Sequence, residues 1–160
     1  MNILLISPQT PMTFWSLKHA VRFMSRHAAF PPLGLLTVAA FLPTDWQVKL
    51  VDLNVNRLPD DDLRWANFVM HSAMIVHKAS VSEVVKRCRG VGVPVIAGGP
   101  LFTTGYAAFP DIDHFVLGEA EELMPQVIED MRHGTVRQTY AASSRPDITR
   151  VPSPRWDLID

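Results

Sequence analysis

The chain contains one cysteine, Cys88. That count excludes an internal disulfide framework and fits a reducing compartment. It also excludes an iron–sulfur cluster held by this chain alone, because such clusters are tied by several thiolates. An excess of charge of one sign is missing too. The formal net charge is -1, and no basic stripe with interleaved aromatics occurs, so no nucleic-acid partner is expected. Long apolar runs are absent. The longest, from Phe30 to Leu42, is shorter than the roughly 20 residues that span a bilayer, and it holds Pro31, Pro32 and Gly34. The N-terminal Met1-Asn2-Ile3-Leu4-Leu5-Ile6 has no basic region, and its apolar run stops at Ser7-Pro8. It does not read as a signal peptide. A cytoplasmic protein without a membrane span is expected.

What is present suits one domain. The 160 residues are 48% hydrophobic, enough for a sizeable core. Apolar runs of strand length alternate with segments of helical period, the pattern of βαβ units. Strands are predicted at 3–6, 47–52, 67–74, 93–97 and 114–117. Helices are predicted over 13–26, over 33–41 behind Pro31-Pro32, over 81–89 and over 119–132, with a helical turn at 63–66. Cys88 shares a helical face with Val81, Val84 and Val85, so it reads as core. From 136 onward the pattern thins, and three prolines fall between Arg145 and Pro154. Residues 1–135 are therefore read as the domain and 136–160 as an extended linker or arm. The fold class is α/β, a Rossmann-type doubly wound sheet of about five parallel strands. Such sheets bind ligands at the carboxyl ends of their strands.

The first strand end, Pro8-Gln9-Thr10-Pro11, has no glycine. A dinucleotide fold would place G-x-G-x-x-G there. A flavin mononucleotide site would want Ser, Thr and Gly, for which Gln9, Thr10 and Thr13 are a thin substitute. A phospho-receiver would need an acidic cluster after strand one and an aspartate after strand three, where Ser72 stands. Strand four ends in Gly98-Gly99-Pro100-Leu101-Phe102. Backbone without Cβ atoms can lie against a bulky ligand or take φ > 0, although a tight turn uses such a doublet as well. Ser72 offers a small hydroxyl to a ligand, or bonds its own backbone. Gly118 gives access, and Glu119 suits a helix start with or without a ligand. Together these residues describe a cleft floored by small side chains on three neighbouring strands.

Several motifs in order resemble the cobalamin-binding domains at the N-terminus of many radical S-adenosylmethionine proteins, methyltransferase-like members especially. They are Asn2 to Pro8, then Phe30-Pro31-Pro32-Leu33-Gly34-Leu35 with Ala39-Ala40, then Val51-Asp52-Leu53-Asn54. Gly98-Gly99-Pro100, Gly118-Glu119-Ala120-Glu121 and Val151 to Asp157 complete the set. The resemblance covers essentially the whole chain and implies a flavodoxin-like fold. In the wider cobalamin-binding family the motifs are D-x-H-x-x-G, S-x-L and G-G. Ser72-Ala73-Met74 stands for the second, with methionine for leucine, and Gly98-Gly99 for the third. The first is missing, since neither Asp nor His lies between Ser7 and Met12.

The resemblance implies a cofactor-binding set of Pro8, Gln9, Thr10, Trp15, Ser72, Ala73, Met74, Gly98, Gly99, Pro100, Leu101, Phe102, Gly118 and Glu119. The serine and glycines would line a slot for the nucleotide tail, and the corrin would lie across the strand ends. Trp15 would cover the lower face of cobalt by contact, and His19 beside it is a candidate cobalt ligand. His71, His77, His114 and His133 show no metal-ligand spacing. S-adenosylmethionine and a [4Fe-4S] cluster would belong to a radical domain of the full-length protein, since C-x-x-x-C-x-x-C is absent here. The full-length protein is expected to be an enzyme that transfers a methyl group, and this fragment alone is not. The alternative is a cofactor-free interaction or dimerisation module. Leu101, Phe102 and Trp15, expected at the cleft mouth, would serve either reading.

Overall fold

The computed structural model describes residues 1–11, 30–143 and 146–159. Six parallel strands form one sheet: β1 (Asn2–Ser7), β2 (Gln47–Asp52), β3 (Phe68–Ser72), β4 (Val95–Gly98), β5 (His114–Leu117) and β6 (Thr139–Ala141). Their order is β2-β1-β3-β4-β5-β6, the flavodoxin-like order with one strand added at the end. The order reverses between β1 and β3, which puts the expected ligand crevice above their carboxyl ends. The α/β doubly wound class is as the sequence indicates.

The described helices are α1 (Leu33–Phe41), α2 (Asp60–Trp65), α3 (Lys78–Val91), α4 (Pro100–Gly105) and α5 (Ala120–His133). They fall on two faces of the sheet. Leu4, Ile6, Val69, Val95 and Ala97 pack with Leu63 of α2, Val81, Val84, Val85 and Cys88 of α3, and Leu101 and Phe102 of α4. Ile3, Leu5, Met70, Ile96 and Val116 face the other way, against Leu35 and Ala39 of α1 and Met124, Val127 and Met131 of α5. This alternation follows from the two-residue period of a strand. A central strand buried on both faces must then be apolar throughout, as Ile3 to Ile6 are. Cys88 is core, as expected. Its burial pushes the thiol pKa up to about 12, which makes it inert.

Three features depart from the sequence reading. The sheet has six strands, not about five. The sixth is three residues long and lies beyond position 135, where no apolar run marks it. Tertiary contacts specify it: Val116 pairs with Tyr140 in register, and the Tyr140 hydroxyl donates to Asp130 Oδ2 at 2.8 Å. The second departure is α4, which follows Gly98-Gly99 directly with Pro100 in its first turn. Proline is well tolerated there because its missing N–H has no intrahelical partner anyway. The third is the C-terminal segment, which returns to the domain. The Arg155 amide donates to the Leu36 carbonyl at 3.1 Å, and Leu158 packs on the α1–α5 side of the core. Among the described residues no helix is long and apolar enough to cross a membrane.

Candidate functional site

A cavity of about 460 Å³ lies between the sheet, α1 and α5. Its floor is built by register. Ser72 of β3 pairs with Gly98 of β4, and Gly98 pairs with Val116 of β5. Period two then puts Met70, Ser72, Ile96, Gly98 and Val116 on one face. Gly34, Leu35 and Val38 of α1 form one wall, and Ala120, Glu121 and Met124 of α5 form the other. Pro100, Thr103 and Thr104 of α4, with Gly118 and Glu119, stand around the mouth.

Absent Cβ atoms hold this space open. At Gly99 a Cβ would sit 2.9 Å from Ser72 Oγ and 3.0 Å from the Ala73 carbonyl, and φ is +94°. Gly99 therefore serves the backbone as well as the cavity. At Gly34 a Cβ would lie 3.8 Å from Ser72 Oγ, an ordinary contact. Gly34 is thus a window in α1 directly opposite the Ser72 hydroxyl, and a large side chain there would enter the cavity.

Of the residues the sequence singled out, the cavity gathers Ser72, Gly98, Gly99, Pro100, Gly118 and Glu119. Ala73 is buried beside it and fixes the turn: its N–H donates to the Gly98 carbonyl, and its carbonyl accepts from the Leu101 N–H. Met74 follows at the surface, 53% exposed, in a run with exposed Ile75 and Val76. Leu101 and Phe102 are a correction. They are not at the mouth, because the α4 helix turns them back into the opposite core. Phe102 is fully buried there, with its ring 5.2 Å from that of Phe109 and 5.9 Å from that of Phe115. Trp15 and His19 lie outside the described residues.

The first loop sits across the sheet from the cavity, against β2 and α3. The Gln9 N–H donates to Ser80 Oγ at 2.9 Å, and the Thr10 N–H to Asn54 Oδ1 at 2.8 Å. Asn54 Nδ2 returns a bond to the Pro8 carbonyl and another to Asp52. Thr10 Oγ1 lies 3.3 Å from His77 Nε2. Pro8, Gln9 and Thr10 are thus joined into the strand-end network rather than the slot.

His71 borders the cavity, but strand alternation turns its imidazole to the opposite face with its register partners Ile6 and Ala97. Nδ1 donates to the Ile6 carbonyl at 2.6 Å, while Nε2 is buried and has no hydrogen-bond partner among the described residues. Burial, opposed in part by that bond, brings its pKa down to about 4, so the ring is neutral near pH 7. Among the described residues no group of three or more His, Cys, Asp or Glu is placed to hold a metal ion.

Sequence reasoning missed the helical walls and the inner floor. A glycine inside an otherwise apolar helix is a signal for Gly34. Stepping back by two from Ser72 and Gly98 finds Met70 and Ile96. Nothing local marks Met124.

Residues 21–128 match the family model described as the B12 binding domain. The chain is 37% identical to "Uncharacterized methyltransferase sll1242" of Synechocystis sp., over 100% of this chain and 30% of that protein. It is 31% identical to "Hopanoid C-2 methylase" of Rhodopseudomonas palustris, over 99% of this chain and 31% of that protein. The chain thus spans under a third of the length of these relatives.

Proposed function

The chain belongs to the B12-binding domain family, and from that premise we propose that it holds cobalamin for a radical S-adenosylmethionine domain of the same full-length protein. The nucleotide tail occupies the cavity between the sheet, α1 and α5, and the corrin lies over the strand ends. One observation carries the reading. Ser72, Gly98 and Gly118, at three adjacent strand ends, border one cavity, and Gly34 opens the facing helix toward the Ser72 hydroxyl. Such a cradle suits a bulky, flat group with one polar contact.

Cobalamin, when bound, supplies a cobalt centre able to carry a methyl group. This chain's residues bind and orient. The Ser72 hydroxyl offers a hydrogen bond to the tail. Met70, Ile96, Val116 and Met124 exclude water from it. The names of the two relatives, a methyltransferase and a methylase, favour methyl transfer as the reaction of the full-length protein.

The test is a titration with hydroxocobalamin, followed by the visible spectrum and by retention on desalting. About one equivalent should be retained. Gly34→Phe should retain none while keeping its circular dichroism, because the new ring fills the slot from an exposed helix start. Equal retention by Gly34→Phe would remove the tail from this cavity. No retention by this chain or by the full-length protein would instead support a cofactor-free interaction module. The exposed run Met74-Ile75-Val76 favours that second reading, since contiguous apolar surface marks contact sites.

A further inference from the structure

Resting on that reading of the cavity, we infer that it selects corrinoids by the polarity of the lower base, taking benzimidazole- or phenol-type bases and rejecting purines. The lining is sorted by depth. Leu35, Met70, Ile96, Val116 and Met124 border the cavity yet are almost wholly buried, so they form its inner end. All five belong to one apolar core. The polar side chains lie elsewhere. Among the described lining residues, Thr103, Thr104 and Glu119 are exposed at the mouth, and Glu121, half-buried, stands in the first turn of α5, nearer the strand ends than Met124. Thr103 Oγ1 is already engaged with the Gly118 N–H and the Gly99 carbonyl. Ser72 stands at the strand end rather than inside. The imidazole of His71 faces the other side of the sheet.

Backbone groups do not repair this polarity deficit. β3, β4 and β5 pair with one another along the floor, which commits their N–H and C=O groups to the sheet. A base seated at the inner end therefore meets carbon and sulfur. Adenine carries an exocyclic amine and two more ring nitrogens than benzimidazole. Each of these gives up hydrogen bonds to water and finds no replacement, and an unsatisfied buried polar group is costly. A dimethylbenzimidazole or a phenol-type ring loses nothing comparable. The benzimidazole and purine rings are alike in size, so polarity rather than volume separates them.

The experiment titrates the chain with four corrinoids: cobalamin, an adenine-base analogue, a phenol-base analogue and tail-less cobinamide. Binding is read from the visible spectrum. The adenine-base form should bind roughly tenfold or more weakly than cobalamin, from one unsatisfied polar group or more. The phenol-base form should stay close to cobalamin. Val38→Gln places an amide on the α1 wall and should narrow the gap between adenine and benzimidazole, with an unchanged circular dichroism spectrum. Equal affinity for the adenine and benzimidazole forms overturns the selection while leaving the cobalamin reading intact. Cobinamide binding as tightly as cobalamin overturns it as well, because the tail then contributes nothing. If none of the four binds to this chain or to the full-length protein, the reading of the site fails and the selection with it.

Discussion

His71 is the residue whose environment makes the most specific demand. Its Nδ1–H donates to the Ile6 carbonyl, and protonating Nε2 would bury an N–H that has no acceptor among the described residues. The folded pKa is about 4 against an ordinary 6.5, and neighbouring His77 is lowered too, by its own burial. Between those two pH values the unfolded chain binds more protons than the folded one, so stability rises with pH there. The contribution is complete above about 6.5 and is lost as pH falls toward 4, at most about 3 kcal/mol for this shift. Asp60, Asp130, Asp147 and Asp157 are held below the ordinary carboxylate range by hydrogen-bonded partners. Their contributions disappear only in more acid solution. Thermal melts from pH 7.5 to 4.5 should show a falling midpoint, and His71→Gln should flatten the profile. An unchanged slope in that variant would mean that another group titrates. The histidine itself was visible in the sequence as a break in an apolar strand. Its role was not, because only the fold decides which face of β3 it takes.

At the scale of elements, the legible ones carry their own signals. Pro31-Pro32 and Pro43 bracket α1, and its observed span, Leu33–Phe41, is the expected one. The apolar run of β5 likewise fixes His114–Leu117. The element that was not legible, β6, depends on a network. Asp130 of α5 accepts from the Tyr140 hydroxyl and from Gln126 Nε2 at 2.8 Å, and Arg137 Nε lies 3.1 Å from it. The Tyr140 oxygen accepts in turn from the Arg137 N–H at 2.9 Å. The Tyr140 bond is the main reason the Asp130 pKa is lowered. Tyr140→Phe keeps the buried ring but strands the Arg137 N–H and removes one donor from Asp130. A loss of about 1–3 kcal/mol is expected in denaturant unfolding, with β6 amides exchanging faster than those of β5. An unchanged midpoint would show that water replaces the hydroxyl. The site follows the same division. Ser72, Gly98 and Gly118 were legible because a doubly wound sheet places ligands at strand ends. Leu101 and Phe102 were misplaced because Gly-Gly-Pro reads as a turn, whereas the chain enters a helix and carries both back to the core.

At the scale of the whole molecule, the sheet has to end somewhere safe. β6 is very short, as edge strands in natural sheets often are. It covers β5, whose Val116 lines the cavity and whose Phe115 packs in the opposite core. A chain ending at 135 would remove that cover, uncover the β5 edge and lose the burial of Tyr140, worth about 1.5–3 kcal/mol for one large side chain. A chain ending at 143 would keep the sheet and lose only the return of the C-terminal segment, with the Arg155–Leu36 hydrogen bond and the packing of Leu158. Sedimentation velocity and thermal melts of the 1–135, 1–143 and 1–160 chains distinguish the two cuts. The 1–135 chain should melt lower and self-associate through the open β5 edge, while 1–143 should remain close to the full chain. A well-behaved 1–135 chain would place the boundary before β6 and make the sixth strand part of the arm. A 1–143 chain as unstable as 1–135 would assign the decisive contact to the returning segment, and then α1, with Gly34 facing the cavity, would owe its position to residues beyond the sheet.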